Sequence, residues 1–371
     1  MNRTYLMTPG PSPLAPKVKE ALGRDIIHHR TEEFRKILEE VHDNLKYVFC
    51  TQNPVIILAS SGTVAMEAAV SNFLSKQDKA LVVVGGKFGE RWKEICQSYE
   101  VGVCPLEVEW GRAPSKEDVV KILNNNPDIK AIYTTLCETS TGTVYDIQAI
   151  SEITKDRDLL LVVDAISGLG QDVLKTDEWA VDVVVSGSQK GFMLPPGLSF
   201  ISLSNKAQVF LKKSNLPKYY FDLNKAMKSF QKNDTPFTPS VSLIVALLES
   251  LKIIKEEGIE NRWANFEKLS LATRRVLESL GLRIFSRSPS FSVTAAYVEG
   301  IDTQDIVKKM RKEYGISIAG GQAQLKGKII RIAHMGYINE SDIIMCLSVL
   351  EKVLMNLGFS LNKGSSPKAF Q

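Results

Sequence analysis

Between residues 55 and 203 the chain alternates short β-branched apolar runs with helix-forming stretches, and this alternation limits the fold more than any other feature. The runs are VIIL at 55–58, ALVVV at 80–84, IKAIYTT at 129–135, LLLVV at 159–163 and DVVV at 182–185. They lack the polar alternation of a half-solvated strand, so each predicts a strand covered on both faces. Helices between strands supply that cover in an α/β protein with a mostly parallel sheet, and an antiparallel sandwich does not fit. The stretch 31–48 sets Phe34, Ile37, Leu38, Val41, Leu45 and Val48 three and four residues apart, which predicts one amphipathic helix.

From about residue 240 the texture changes. Long helical stretches at 241–257 and 259–280 flank Gly258, followed by a strand at 292–298, a helix at 302–314, the strand KIIRIA at 328–333 and a helix at 340–356. This predicts a smaller C-terminal α+β domain. With 371 residues the chain exceeds the size at which one core stops growing. The expected division is an N-terminal segment at 1–15 that reaches the active site, a large domain at 16–245, a small domain at 246–360 and a disordered tail at 361–371.

Charge nominates no polymeric partner: 46 Lys and Arg against 42 Asp and Glu leave +4, with no block of like charges for nucleic acid or a membrane. The five cysteines form no CxxC pair, so neither a disulfide framework nor a zinc ribbon is expected. Prolines interrupt MNRTYLMTPGPSPL before any apolar run of signal-peptide length, and no stretch of 18 apolar residues follows. A cytoplasmic location is expected.

In an open parallel sheet ligands bind beyond the carboxyl ends of the strands, and those ends are polar here. VIILASSGT leads through Ser60, Ser61, Gly62 and Thr63 into a helix, which is either a phosphate cradle of free amides or an ordinary Ser/Thr cap. LLLVVD ends in Asp164 and DVVVSGSQK in Gln189 and Lys190, so an acid and an amine meet at one edge, as catalytic groups or as a structural ion pair. A third end carries Glu138, Thr139, Ser140 and Thr141, and a fourth a glycine turn and Phe88. Other chemistries fail on spacing. No G-x-G-x-x-G follows a strand, no Gly-Lys precedes Ser or Thr, HExxH and G-x-S-x-G are missing, and His28, His29, His42 and His334 lack metal-ligand spacing. No metal site is expected. A phosphate cradle, an acid, a lysine and a stacking aromatic are together what pyridoxal phosphate requires.

Seven ordered motifs then resemble one family, the class V (fold type I) aminotransferases, closest to the alanine–glyoxylate and serine–pyruvate group. They are TPGPSPL at 8–14, HHRTEEF at 28–34, SSGTVAMEAAV at 60–70, ETSTG at 138–142, VVDAISGLG at 162–170, SGSQKGFMLPPG at 186–197 and IIRIAHMG at 329–336. The resemblance implies a large domain with a mostly parallel seven-stranded sheet, a small C-terminal domain and a pyridoxal phosphate cofactor. It implies that Lys190 forms the Schiff base with the cofactor and then shuttles the substrate proton, while Asp164 holds the pyridinium nitrogen. Ser61, Gly62, Thr63 and Gln189 would bind the phosphate, Phe88 would stack on the ring, Thr139 would approach its 3′-oxygen, and Ser167 would lie beside Asp164. Arg331 would clamp the substrate α-carboxylate and Gly10 would lie against the substrate. A homodimer sharing its active sites is also implied, with Thr238 donating to the neighbour's cofactor; Thr235 stands where the family often has a tyrosine.

The substrates implied are an amino acid and a 2-oxo acid. Only the HHR motif bears on the side chain. His29 and Arg30 would be local structure beside a small donor, alanine or serine, with glyoxylate or pyruvate as acceptor; they would bind a side-chain anion if the donor were phosphoserine or aspartate, with 2-oxoglutarate. A lyase or desulfurase using a mobile cysteine, and a non-catalytic subunit of a larger assembly, are the remaining readings.

Overall fold

The computed structural model describes residues 4–360, so the expectation of a disordered tail lies outside the described residues. A seven-stranded sheet runs in the order Val55–Leu58, Ser199–Leu203, Val183–Gly187, Leu160–Asp164, Ile129–Thr135, Lys79–Val84, Gly102–Glu107. Ser199–Leu203 is antiparallel to both neighbours, and every other pairing is parallel. The mostly parallel sheet is therefore present as expected.

Both faces are covered, which explains the apolar runs. Leu81, Val83, Ile132, Leu161, Val163 and Val184 face one core, built with helices Glu32–Phe49 and Val241–Glu257. Ala80, Val82, Tyr133, Leu160, Val162 and Val185 face the other, built with helices Gly62–Ser71 and Lys87–Ser98. Each large side chain so buried contributes roughly 1.5–3 kcal/mol. Helix Glu32–Phe49 begins where Thr31 accepts from the amide of Phe34, as its amphipathic pattern predicts.

A four-stranded antiparallel sheet, ordered Arg283–Ile284, Val293–Tyr297, Ile329–Ala333, Ala319–Gly320, carries the third core with helices Thr303–Tyr314 and Glu340–Asn356. The expected division at 245/246 falls inside helix Val241–Glu257, whose apolar side chains belong to the first core. The chain changes cores within the next helix, Ile259–Ser279: Trp263 packs with the large sheet and Phe266 with the small one. The N-terminal segment ties both parts together. Tyr5–Leu6 pairs in parallel with Ile316–Ser317, and the Met7 carbonyl accepts from the Ala333 amide at 2.9 Å. Ser12 then docks on the loop that carries Lys190, its amide donating to the Gln189 carbonyl at 3.0 Å and its hydroxyl to the Lys190 carbonyl at 2.7 Å.

Candidate active site

Strands Leu160–Asp164 and Val183–Gly187 are adjacent and parallel, so their carboxyl ends deliver Asp164 and the Lys190 turn to one edge of the sheet. Asp164 is buried, and its Oδ1 accepts from the amide of Ile166 at 2.8 Å. Burial pushes its carboxyl up to about 7, against the pull of that amide. Lys190 is 9% exposed, its amine donates to the Pro9 carbonyl, and burial lowers it to about 8 while the charge of Asp164 opposes the shift. The two form no ion pair among the described residues, which removes the structural salt bridge as their explanation. Gly10, at φ +92°, is a glycine for a visible reason: a Cβ would stand 2.5 Å from Cε of Lys190.

The cradle is built on helix Gly62–Ser71, where Ser61 sits at the N-cap and makes no side-chain capping bond. The Ser61 side chain therefore does not act as an ordinary cap, and a helix N-terminus of this kind favours an anion. A Cβ on Gly62 would lie 2.6 Å from Ile166, whose neighbourhood also includes Gly187. Gln189 stands beside Gly187, and among the described residues its buried Oε1 has no hydrogen-bond partner. The hydroxyl of Thr63 accepts from Arg91 at 3.3 Å, and the same guanidinium lies 4.9 Å from the Phe88 ring centroid. Thr139 and Ser167 share a hydroxyl–hydroxyl bond of 2.6 Å.

Arg331 lies in the middle of strand Ile329–Ala333, is 6% exposed, and is not a snorkelling surface arginine. Its Nε donates to the Gly320 carbonyl at 2.9 Å and its Nη1 to the Thr139 carbonyl at 2.8 Å. No carboxylate among the described residues pairs with it. Burial lowers it to about 10, opposed by the charge of Glu138.

Lys190, Asp164, Thr139, Ser167, Arg331, Gly10, Gln189 and Gly62 are thus linked through recorded contacts or mutual fields, and Phe88 joins them through Glu138. His29, Arg30 and Thr238 form a second group. Arg30 donates to Asp234 and to the Thr235 carbonyl, and among the described residues no hydrogen bond joins this corner to Lys190. His29 is partly exposed beside His28, ring centroids 4.9 Å apart, and Thr238 is exposed. Sequence reasoning left three groups of the first cluster without a role: Ile166, Arg91 and Glu138. Glu138 had a signal, since it follows an apolar run just as Asp164 does.

The donor set fits pyridoxal phosphate on its own chemistry. The uncapped helix end and the orphaned Gln189 suit a phosphate, the poorly compensated Asp164 suits a protonated ring nitrogen, the depressed Lys190 suits a carbonyl, and Arg331 suits a carboxylate. Cys137 is buried and its thiol is pushed up to about 12, which does not suit a mobile nucleophile.

The family model described as Aminotransferase class-V matches residues 6–343. The chain is 41% identical to the soluble hydrogenase 42 kDa subunit of Anabaena cylindrica, over 99% of this chain and 98% of that one. It is 33% identical to the L-aspartate–glyoxylate aminotransferase of Paracoccus denitrificans, over 99% and 95% of the two chains. Among solved structures, an aspartate aminotransferase from Thermus thermophilus matches with a TM-score of 0.88 at 33% identity, covering 95% of this chain and 99% of that one. The architecture is the α/β fold type I of pyridoxal phosphate enzymes. The chain belongs to the aminotransferase class-V family, whose members generally use that cofactor.

Proposed function

We propose that this protein moves the amino group of a small L-amino acid, alanine or serine, to glyoxylate or pyruvate by a ping-pong mechanism. The observation that carries the reading is Arg331, a buried guanidinium whose partners among the described residues are carbonyls, and whose charge is felt at Lys190. A substrate α-carboxylate offsets that burial and sets the α-carbon toward the lysine. Bound pyridoxal phosphate supplies the electron sink beside that carbon. Asp164 would hold the ring nitrogen, and Ser61, Gly62, Thr63 and Gln189 the phosphate. Phe88 would cover a ring face, and Thr139 and Ser167 would flank its polar edge. Lys190 Nζ would take up and return the substrate α-proton, work that suits an amine lowered to about 8. Gly10 keeps the approach to that amine open.

The donor is read as small because Arg30 already has a carboxylate partner in Asp234. Two relatives carry aspartate in their names, and this supports the rival reading of an acidic donor. The Anabaena relative is named as a subunit of a soluble hydrogenase, which supports the rival reading of a subunit of a larger assembly. Thr238, exposed in its loop, would donate to the cofactor phosphate of a second copy, so a cytoplasmic homodimer belongs to the proposal.

The test is single-turnover change in the visible absorption of the bound cofactor on adding alanine, serine, aspartate, glutamate or phosphoserine. Alanine or serine should react fastest. A lead for aspartate or phosphoserine would move the donor to the acidic class, and a cofactor-loaded protein silent to all five would overturn the small-donor reading.

A further inference from the structure

Glu138 ends the short strand Cys137–Glu138 and is 0% exposed. A carboxylate taken out of water is costly unless donors meet its oxygens. Here Oε2 accepts from the amides of Phe88 and Gly89, each at 3.0 Å, and Oε1 accepts from the Ser140 amide at 3.1 Å and from the Ser140 hydroxyl. The Ser140 oxygen in turn accepts from the Lys87 amide at 3.1 Å. Three successive amides that open helix Lys87–Ser98 are therefore bound by the 138–140 loop, and Gly86 at the N-cap supplies no side chain of its own. The carboxylate caps that helix from another strand, where the helix dipole favours it. Space is reserved for it, since a Cβ on Gly86 would lie 2.4 Å from Cδ of Glu138.

The next residue faces the other half of the site. The Thr139 carbonyl accepts from Arg331 and the Thr139 hydroxyl meets Ser167. Glu138 thus stands one hydrogen bond from the backbone of Phe88 and one residue from the Arg331 contact. We propose that Glu138 is a positioning residue that fixes the ring-covering Phe88 and the Arg331 clamp in one frame. This rests on the transamination reading above. A helix cap alone would need only the amides of residues 87–89, and a loop staple alone only Ser140.

The test uses Glu138→Gln in the cofactor-loaded enzyme, because a carboxamide keeps the shape but turns one acceptor into a donor facing donors. The expected result is about tenfold weaker pyridoxal phosphate binding and about tenfold higher KM for the amino donor, with kcat changed less than about threefold. The visible circular dichroism of the bound cofactor should change, and hydrogen exchange in the cofactor-free protein should quicken at residues 87–89. Ser140→Ala, which removes one link, should move the same readouts by about threefold and serves if the first variant does not fold. A lowered melting temperature with wild-type cofactor affinity, dichroism and KM would overturn the proposal and leave Glu138 a structural cap. Should the wild type bind cofactor but transaminate no donor, the reading above fails alone, and affinity and dichroism still decide Glu138.

Discussion

Arg331 and Arg30 were both candidates for binding a substrate anion, and the structure leaves them in opposite states. Arg331 is 6% exposed with carbonyl oxygens for partners, whereas the Arg30 side chain is 39% exposed and paired with the Asp234 carboxylate. Carbonyl dipoles position a guanidinium without neutralising it, so a buried cation of this kind favours an arriving anion. An exposed arginine with its own carboxylate has nothing left to gain from a second one. On the proposed reading the difference assigns the substrate carboxylate to Arg331 rather than to Arg30.

The largest loss is expected from removing the amine that Arg331 would serve. Lys190→Ala should lower turnover by about 10⁴-fold, since the buried amine proposed to move the proton is removed. Retained turnover would remove the lysine from the mechanism and Arg331 with it. Arg331→Lys should cut kcat/KM by about 100-fold for every amino donor, because a point charge replaces a two-pronged contact. Steady-state kinetics with alanine and aspartate side by side decide it, and an effect confined to one donor would make Arg331 a side-chain contact.

How far these differences were legible depends on what carries the signal. Five strands were read from apolar runs because both sheet faces are covered, but Gly102–Glu107 was not. It is an edge strand in which every residue is at least partly exposed, with Pro105 inside it, so no apolar run forms. Ser199–Leu203 was hidden for another reason: its buried serines are satisfied locally, Ser202 Oγ accepting from the Val184 amide and Ser199 Oγ meeting Ser60 Oγ at 2.7 Å. The change of core between Trp263 and Phe266 happens inside one helix, where no turn residue announces it. At the site, Asp164, Lys190 and Arg331 were legible as charges in apolar strands or at their ends. The contacts of Glu138 were not, because its partners Phe88 and Gly89 offer main-chain amides and leave no trace in residue type. The pairing of Arg30 with Asp234, 204 residues away in the chain, was equally invisible.

The buried side also predicts a pH dependence. Burial lowers the Lys190 amine to about 8, and the neutral amine is the form that attacks a carbonyl. Because the folded value is depressed, the reactive fraction rises as pH increases, from roughly 1% at pH 6 to most of the population at pH 9. Uptake of pyridoxal phosphate by the cofactor-free protein, followed by absorbance in stopped flow, should therefore speed up about 90-fold over that range and begin to level off above about 8. The charge of Asp164 opposes the shift, so Asp164→Asn should move the midpoint lower. A midpoint that moved higher would mean the two groups do not share one field.

The smallest effect is expected on the exposed side, and it is the sharpest test of the comparison. Arg30→Ala removes one partly exposed ion pair and the bond to the Thr235 carbonyl, which together are worth about 1 kcal/mol or less to stability. If that arginine is local structure, kcat/KM for alanine, aspartate and phosphoserine should all stay within about threefold of wild type, and by the same ratio for each. If it binds a side-chain anion, the acidic donors should lose about tenfold or more while alanine is spared. Asp234→Ala separates the two further: freeing the Arg30 guanidinium should leave a small-donor enzyme as it was, but should improve acidic donors if the ion pair competes with them for the same guanidinium.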